Sequence, residues 1–478
     1  MLSLPCITVG LLGASIPLVT ANGHSNILHR DVVVIGGGAS GAYAAVRLRD
    51  DLNKSIALIE KQDILGGMVD TYVDKKTGAT FDYGVQSFLN VSKAKDFFDR
   101  FNISVGSNSS SPTLITEYID FNTGAEVAFQ PPSLTAQITA IAKFLDVITP
   151  WESMLQPGYW NFPEPDNIPE DLLIPFGEFL TKYGLEDGAP IIYATTGLGL
   201  GDMSEVVTMF ALQGFGWDMA RGMTGQIGLF TPTSGGNQAL YNAIAKDLGD
   251  DVLYSSTVIS SHRTNSSVQL TVQDHKTGKS TQIVARRLLV AIEPTDDNVA
   301  PLDLSPFERD TLAKFTYSNE YTGLVDNSVF NTSYYYFNLP SSAAPNHTLV
   351  FQEEPMVASF QYTGLEHLFR VMIIGNTTTT SREAKSLAQT SFDTLLNTGR
   401  LTGTELQTQE LNWAAFSTHG PMHARVSVDE VKSGFFQDLY KLQGARSTWW
   451  TGGAFSVNFQ TKLWEFDECL IPKIVEGL

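Results

Sequence analysis

Two runs of consecutive apolar residues near the start of the chain predict strands that are buried on both faces. Residues 31–35 read DVVVI and residues 55–59 read SIALI. Between them, residues 42–48 (AYAAVRL) space their apolar side chains as one face of a helix does. Strand, helix and strand in this order predict a βαβ unit, in which the two strands lie parallel in one sheet.

Further apolar patterns occur later in the chain. Residues 252–258 and 286–292 predict two more strands. Alternating apolar positions in residues 333–338 and 349–352 predict antiparallel strands. Residues 155–175 contain many prolines and predict a lid or a packed loop rather than a helix.

A glycine-rich turn joins the first predicted strand to its helix. Gly36, Gly38 and Gly41 occupy G-x-G-x-x-G positions, which allow a tight turn, close approach of a pyrophosphate, and packing of helix on strand. The helix N-terminus then faces the phosphates. Glu60 ends the second strand 19 residues after Gly41, where a carboxylate accepts ribose hydroxyls and disfavours NADP. The dinucleotide-binding residues predicted here are Gly36, Gly38, Ala39, Ser40, Gly41, Glu60 and Lys61.

The residues that follow favour FAD over NAD as the dinucleotide. A Gly66-Gly67 pair lies just beyond Glu60, and residues 81–84 read FDYG. With these motifs the chain resembles the flavin amine oxidase superfamily, in which Met68 stands where an arginine is usual. The resemblance implies cofactor contacts at Gly66, Gly67, Met68, Gly84, Val85 and Gln86.

Two distant segments extend this resemblance. Residues 233–240 (TSGGNQAL), a helix ending at Leu248 and the strand at 252–258 resemble the second FAD-binding block. Residues 448–454 (TWWTGGA) resemble the strand and turn beneath the flavin, and residues 457–470 resemble the last helix. The superfamily's acid after the turn glycine is absent. The contacts implied here are Val258, Gly452, Gly453, Val457, Asn458 and Phe459.

Within the superfamily, the chain is most similar to fungal secreted FAD oxidoreductases of the β-cyclopiazonate dehydrogenase type. The motifs that carry this similarity are GGGASGAYAAVRLR, EKQDILGG, FDYGVQ and TGGAFSVNFQTKLWEFDE. The implied fold class is α/β, with a glutathione-reductase-type Rossmann FAD-binding domain and an interleaved α+β substrate domain. The FAD-binding domain is expected at residues 30–95, 225–300 and 430–478, and the substrate domain at residues 96–224 and 301–429.

Candidate catalytic groups lie in two segments where the resemblance places the flavin. Many amine oxidases hold a water near flavin N5 with a lysine, but residues 316–325 contain none, and Tyr321 or Thr322 falls near that place. His419 and His423 form a closely spaced pair before the C-terminal FAD block, and predict a base or a hydrogen bond to substrate. Pro421 between them disfavours a helical metal-ligand pair, so no metal is predicted.

Three other features have alternative interpretations. Residues 191–201 mimic a second nucleotide site, but a glycine-rich turn near the substrate cavity is the preferred interpretation. Cys469 lies inside the last predicted helix and is interpreted as a buried structural cysteine. A set of C-terminal aromatic residues is expected to line a pocket or to belong to the core: Trp449, Trp450, Phe455, Phe459 and Trp464.

Composition narrows the classes of function. The chain has 31 lysines and arginines against 51 aspartates and glutamates, a net charge of −20, which argues against nucleic acid and anionic membrane surfaces as partners. Hydrophobic residues make up 43% of the chain, so disorder is excluded as its main state. A small-molecule substrate is therefore the expected partner.

The N-terminus predicts entry into the secretory pathway. Residues 1–21 contain no charged side chain and end in a small-x-small cleavage site, which is typical of a signal peptide; an uncleaved anchor is the alternative. Eight Asn-x-Ser/Thr sites support glycosylation: Asn53, Asn90, Asn102, Asn108, Asn265, Asn331, Asn346 and Asn376. Removal of Cys6 leaves Cys469 alone, so no internal disulfide is expected.

These observations predict a secreted FAD-dependent oxidoreductase. It would take a hydride from an apolar secondary metabolite or amine-like molecule to flavin N5, with O2 as the reoxidant, which is available outside the cell. The alternatives are a lumenal thioether oxidase resembling prenylcysteine oxidase, and a non-catalytic flavin-binding protein. Sequence motifs do not encode the substrate, its stereochemistry, the electron acceptor, covalent attachment of FAD or the oligomeric state.

Overall fold

The computed structural model of the chain describes residues 27–107, 112–197, 202–403 and 410–478. Several features predicted above lie outside the described residues. They are the signal segment 1–21, Cys6, the glycosylation site at Asn108, and Gly199 and Gly201 of the glycine-rich turn.

The described strands cluster in three parts of the chain. They are β1 (Ile27–Ile35), β2 (Ile56–Ile59), β3 (Thr71–Val73), β4 (Thr80–Asp82), β5 (Phe88–Leu89), β6 (Val105–Gly106), β7 (Ile115–Asp120), β8 (Ala125–Glu126), β9 (Leu229–Pro232), β10 (Val252–Leu253), β11 (Ser256–Arg263), β12 (Val268–Asp274), β13 (Ser280–Val290), β14 (Thr316–Asp326), β15 (Tyr334–Asn338), β16 (Met356–Tyr362), β17 (Leu368–Asn376), β18 (Trp413–Thr418), β19 (Met422–Arg425) and β20 (Thr448–Trp450).

The described helices surround these strands. They are α1 (Ala39–Val46), α2 (Ala94–Arg100), α3 (Leu134–Ile148), α4 (Glu152–Leu155), α5 (Phe176–Tyr183), α6 (Ala189–Ile192), α7 (Thr208–Gly214), α8 (Trp217–Met223), α9 (Gln238–Leu248), α10 (Asp296–Val299), α11 (Pro306–Leu312), α12 (Ser381–Asn397), α13 (Val428–Lys432), α14 (Phe435–Lys441) and α15 (Gln460–Val475).

The first sheet confirms the predicted α/β Rossmann fold. Its strand order is β10-β2-β1-β13-β12-β11, with β20 also paired to β13. Strands β10, β2, β1, β13 and β20 are parallel, and their pairing places Val33 beside Ala57 and Leu288. The residues at the carboxyl ends of β1, β2 and β13 are buried, as expected for a parallel sheet with helices on its faces, whereas the start of β1 at Ile27 is exposed.

The second sheet has the order β18-β14-β17-β16-β15-β7-β8, with β19 paired to β14. Its outer face packs on α12 through a separate apolar core that contains Val371 and Phe392. Its inner face contacts the segment that follows β4, because the Thr322 hydroxyl on β14 donates to the Tyr83 carbonyl at 2.7 Å. Segments that form the two sheets alternate along the chain.

Two predicted features of the second sheet differ in the structure. Residues 334–338 form a strand as expected, but it is parallel to β7 as well as antiparallel to β16. Residues 349–352 were predicted as a strand and form an irregular loop, so that prediction is wrong. The reason is packing: Phe351 stacks on Tyr193 with ring centroids 4.0 Å apart, and alternating apolar positions serve a packed loop as well as a strand.

The proline-rich residues 155–175 form short 3-10 turns that pack into the core. This is the packed loop, one of the two forms that the sequence predicts. Tyr159 and Leu172 are buried there, and Tyr159 lies against Phe436 with ring centroids 4.0 Å apart. In the part of the chain that the structure describes, no helix has the length and apolar character needed to cross a membrane.

The C-terminal aromatic residues belong mainly to the core. Trp450 and Phe455 are fully buried, and Trp464 of α15 stacks on Tyr43 of α1 at 5.4 Å. Cys469 was expected to be buried, but it is exposed on α15, so that interpretation is wrong. The neighbouring Leu470 points into the core, and adjacent residues of a helix point about 100° apart.

Candidate functional site

The glycine-rich turn between β1 and α1 forms the floor of the site. Gly36 has φ +99°, a backbone conformation that favours glycine. A Cβ atom on Gly41 would lie 1.8 Å from the Gly36 carbonyl oxygen, so this glycine is required for the helix to pack on the strand. A Cβ atom on Gly38 would meet nothing closer than the Gly67 Cα at 3.6 Å. The backbone at Gly38 is therefore left open for a ligand.

Glu60 lies at the end of β2 beside this turn and is buried. One carboxylate oxygen accepts the Gly37 N–H at 2.7 Å, and the other accepts the Gln62 N–H at 2.8 Å. These bonds hold an acceptor at the mouth of the turn, where a ribose would lie. Lys61 is exposed at the rim. Val258 lies on β11, whose first residue donates its N–H to the Glu60 carbonyl at 2.9 Å.

The Gly66-Gly67 pair closes the turn from the other side. Gly66 donates its N–H to the Gly37 carbonyl at 3.0 Å, and Gly67 has φ +61°. Behind the pair, Asp82 accepts the Asn237 N–H at 2.9 Å and so ties the β3-β4 hairpin to α9. Of the other predicted contacts, Ala39 begins α1, and Val85 donates its N–H to the Met68 carbonyl at 3.1 Å. Gln86 follows Val85, and the remaining ones lie between β20 and α15: Gly452, Val457 and Phe459.

A buried carboxyl group lies beneath the first turn of α1. Asp467 of α15 has no exposed surface, and the Thr451 hydroxyl donates to it at 2.6 Å. Ser40 of α1 lies next to the same carboxyl. Burial raises the pKa of Asp467 well above its usual range, a shift that favours the uncharged form of this carboxyl group. The shift reduces the negative charge that the group would otherwise place beneath the diphosphate position.

Glu293 is a functional candidate that the sequence analysis missed. It follows β13, and its carboxyl group lies beside the N–H groups of Gly453 and Ala454 in the C-terminal glycine-rich turn. Its Oε2 atom is buried and has no hydrogen-bond partner among the described residues. Glu293 thus brings an acid to the turn where the family's own acid is missing. The Glu-Pro pair after the strand at 286–292 was the available signal.

We expect Glu293→Gln to stabilise the FAD-free protein at high pH. Burial raises the pKa of Glu293 from 4.5 to about 7. As pH rises between these values, the folded state retains a proton that the unfolded state has released, so the free energy of unfolding falls. Glutamine removes this dependence, a gain of up to about 3 kcal/mol above pH 7.

Thermal unfolding midpoints of the FAD-free proteins at several pH values test this expectation. Glu178→Gln, at an exposed position on α5, is the matched control. Equal pH dependence in wild type and Glu293→Gln would contradict the prediction.

His419 lies in the turn between β18 and β19 and is buried. Its Nε2 is 2.6 Å from the Asp70 carboxylate, and Tyr83 donates to the other Asp70 oxygen at 3.4 Å. The carboxylate fixes the tautomer with the proton on Nε2, which leaves Nδ1 as the proton acceptor. The ring edge lies against Gly84, where a Cβ atom would be 2.9 Å from Cε1. His419 thus borders the segment predicted to pass the flavin.

His423 lies on β19 with both ring nitrogens engaged. Its Nε2 is 3.2 Å from Glu320, and its Nδ1 is 3.0 Å from the Asn458 amide nitrogen. His423 is buried and has φ +55°, an uncommon value for this residue type that marks local strain. These contacts position Asn458 and leave His423 no free acceptor.

Tyr321 lies apart from the two histidines. It is on β14, but its side chain points to the outer face, where it stacks on Phe416 and is buried. Its hydroxyl donates to the Thr379 carbonyl. The adjacent Thr322 points to the inner face instead, because side chains alternate along a strand. Sequence alone left the choice between Tyr321 and Thr322 open.

A cavity of about 230 Å³ lies at the far end of the inner face. Strands β7 and β15 form one wall, and α3, α6 and the loop at 348–351 form the others. Ile191, Tyr193 and Ala194 line it, so the first part of the glycine-rich segment 191–201 borders this cavity. The aromatic residues of the lining are Tyr118, Phe129, Tyr193, Tyr335, Phe337 and Phe351.

The residues present fit FAD. The glycine turn is open at Gly38, Glu60 presents a carboxylate, and Glu293 has an unpaired oxygen at the second turn. The raised pKa of Asp467 lessens the repulsion between this carboxyl group and a diphosphate. Among the described residues, no three histidine, cysteine, aspartate or glutamate side chains cluster as a metal site would require.

Comparisons with known proteins agree with this cofactor assignment. A family model of NAD(P)-binding Rossmann-like domains matches residues 34–101. The FAD-dependent oxidoreductase pigF of Monascus ruber is 33% identical over 98% of both chains. The β-cyclopiazonate dehydrogenase of Aspergillus flavus is 30% identical over 97% of both chains.

Solved structures show the same fold. A fatty acid isomerase from P. acnes that produces CLA has a TM-score of 0.70, covering 93% of this chain and 99% of its own, at 15% identity. Wild-type putrescine oxidase bound to putrescine has a TM-score of 0.63, covering 94% and 100%, also at 15% identity. The chain belongs to the fungal family of FAD-dependent oxidoreductases that includes β-cyclopiazonate dehydrogenase, and FAD is its cofactor.

Proposed function

We propose that this enzyme oxidises a largely apolar, ring-containing secondary metabolite. The observation that carries the proposal is the inner face of the second sheet. It extends from Glu320 and Thr322 on β14 to the aromatic cavity beside β15. The two strands are three spacings apart in the sheet, about 14 Å. An extended ring system could occupy the cavity while its reacting atom lies near β14.

The proposed substrate class agrees with the names of the relatives. β-Cyclopiazonate dehydrogenase acts, by its name, on β-cyclopiazonate. The aromatic lining of the cavity favours apolar rings over a small polyamine such as putrescine. Lysine is absent from β14, where the resemblance to amine oxidases implies a lysine that holds a water near flavin N5.

When bound, FAD supplies at N5 the acceptor for a hydride from the substrate. The chain's own residues hold the substrate between the cavity and β14 and exclude water. His419 Nδ1 accepts the proton that the substrate loses with the hydride, and Asp70 stabilises the resulting imidazolium at 2.6 Å. We propose O2 as the final electron acceptor, so that each turnover yields hydrogen peroxide. We also propose the secretory lumen or the exterior as the place of action.

Anaerobic bleaching of the visible flavin absorbance tests the function. The purified protein would be mixed with polycyclic alkaloids and polyketides, with putrescine and benzylamine, and with farnesylcysteine. Bleaching by a ring-containing metabolite, followed by peroxide release on admission of air, supports the proposal. Selective bleaching by farnesylcysteine would favour the thioether oxidase. If dithionite reduces the bound flavin but none of these compounds bleaches it, the non-catalytic alternative is favoured.

We expect His419→Asn to slow flavin reduction by about two orders of magnitude with FAD still bound, because a positioned base contributes about that much. The rate constant is measured by stopped-flow with the substrate that the panel identifies. His275→Asn, at an exposed position, is the control and should not change the rate. An unchanged rate in His419→Asn would remove His419 from the mechanism.

A further inference from the structure

Arg370 on β17 is a partly buried cation that has no partner for its side chain in the part of the chain that the structure describes. Among the described residues, its guanidinium makes no hydrogen bond and no ion pair, and its Nε atom is buried without a partner. Arg425, another partly buried arginine, has partners: it donates to the His423 carbonyl at 3.1 Å and to the Ser318 hydroxyl at 3.0 Å. A partly buried charge without a partner is unfavourable, and such charges are normally paired or bound to a ligand.

Strand register places Arg370 on the inner face. It lies directly opposite Leu324 on β14 and Gln361 on β16, and Gln361 in turn lies opposite Tyr335 on β15. Directly paired residues of neighbouring strands point to the same side of a sheet. Because Tyr335 lines the cavity, the row from Tyr335 to Leu324 crosses the inner face between the cavity and β14. Arg370 lies in that row, one strand from β14.

The surroundings of Arg370 indicate the ligand that would match it. Burial lowers its pKa, and Tyr335 and Glu320 are the titratable groups that act against this shift. Neither group forms an ion pair with Arg370, and Glu320 is already bonded to His423 at 3.2 Å. The guanidinium therefore retains its full capacity for a planar, two-pronged hydrogen bond to an oxyanion.

We propose that Arg370 is the binding subsite for an anionic group of the substrate, a carboxylate or an enolate. This inference rests on the proposed function and refines it: the apolar rings occupy the aromatic cavity, and the acidic group binds midway along the inner face. The anion fixes the distance and orientation between the ring system and the reacting atom near β14. Arg370 is thus a specificity-determining residue.

Matched acid and amide probes test the subsite in the FAD-loaded protein. The pairs are cinnamate and cinnamamide, naphthoate and naphthamide, and decanoate and decanamide, which differ in charge with little change of shape. Binding is measured by perturbation of the flavin absorbance. We expect at least one acid to bind about tenfold or more tightly than its amide, since hydrogen bonds between ions are the strong ones.

The variants identify the residue responsible. Arg370→Gln should abolish the preference for the acid, Arg370→Lys should retain part of it, and Arg382→Gln, exposed on α12, should leave it unchanged. Equal binding of acid and amide in the wild type, or a preference that survives Arg370→Gln, would overturn the proposal. It would also be overturned if Arg370→Gln lowered FAD content without changing the preference, since Arg370 would then serve the cofactor. Anaerobic bleaching of the flavin is measured separately. If the acids bind more tightly than the amides but no compound bleaches the flavin, the proposed reaction is contradicted and the anionic subsite is not.

Discussion

Gly38→Ala is expected to yield a folded protein that does not retain FAD. In the protein alone, the new Cβ would contact nothing closer than 3.6 Å, so the turn and the helix can form as before. The methyl group would instead occupy the side from which the pyrophosphate approaches the backbone. We expect FAD affinity to fall at least about a hundredfold, or about 2.7 kcal/mol of binding free energy.

Gly41→Ala should fail for a different reason. Its Cβ would lie 1.8 Å from the Gly36 carbonyl oxygen, and both atoms belong to the backbone of the β1-α1 turn. The helix must shift away from the strand, which we expect to destabilise the protein by about 3 kcal/mol, since overpacking a tight contact costs that order. Gly41→Ala should therefore lower the thermal unfolding midpoint even without FAD.

Fluorescence titration with FAD and thermal unfolding together separate the two effects. Gly228→Ala is the matched control, because a Cβ there would meet nothing within 4 Å and its φ is not positive. Normal FAD affinity in Gly38→Ala would show that the cofactor does not approach this glycine, and would contradict the placement of the diphosphate.

Arg263→Met is expected to cause a large loss of stability with little change in FAD binding. The Arg263 side chain is fully enclosed and donates to both Glu308 oxygens at 2.9 and 3.1 Å, and to Asp303 at 3.0 Å. Removing it leaves Glu308, only 2% exposed, without its main counter-charge. Breaking one side of a buried ion pair costs about 3–5 kcal/mol, and we expect a loss in that range.

Urea unfolding of the FAD-loaded proteins checks this expectation. Arg400→Met is the control, because its ion pair with Glu126 is largely exposed and should contribute under about 1 kcal/mol. The double variant Arg263→Met with Glu308→Leu should recover part of the loss, since it removes the unpaired carboxylate. A loss below about 1 kcal/mol for Arg263→Met would show that solvent compensates Glu308.

Features that depend on residues close together in the chain could be predicted from the sequence, and features that depend on distant residues could not. The βαβ unit was predictable because β1, the glycine turn, α1 and β2 are consecutive, and glycine spacing and Glu60 report local geometry. The prediction of a strand at 349–352 was wrong because alternating apolar positions indicate a half-buried segment but do not show whether another strand pairs with it. Cys469 was predicted to be buried but is exposed, because the last helix has some faces in the core and others in solvent.

The α/β fold class and the FAD cofactor could be predicted from the sequence, because both predictions depend on short motifs whose geometry is set by neighbouring residues. The side chains that meet across long separations became known from the folded structure. Glu293 meets the turn at Gly453, and His419 meets Asp70 across 349 residues. Strand register, which no local pattern specifies, also decided that Arg370 lies in one row with Tyr335. A contact between two distant residues depends on the path of the whole chain, whereas the geometry of a turn depends on the residues of the turn itself.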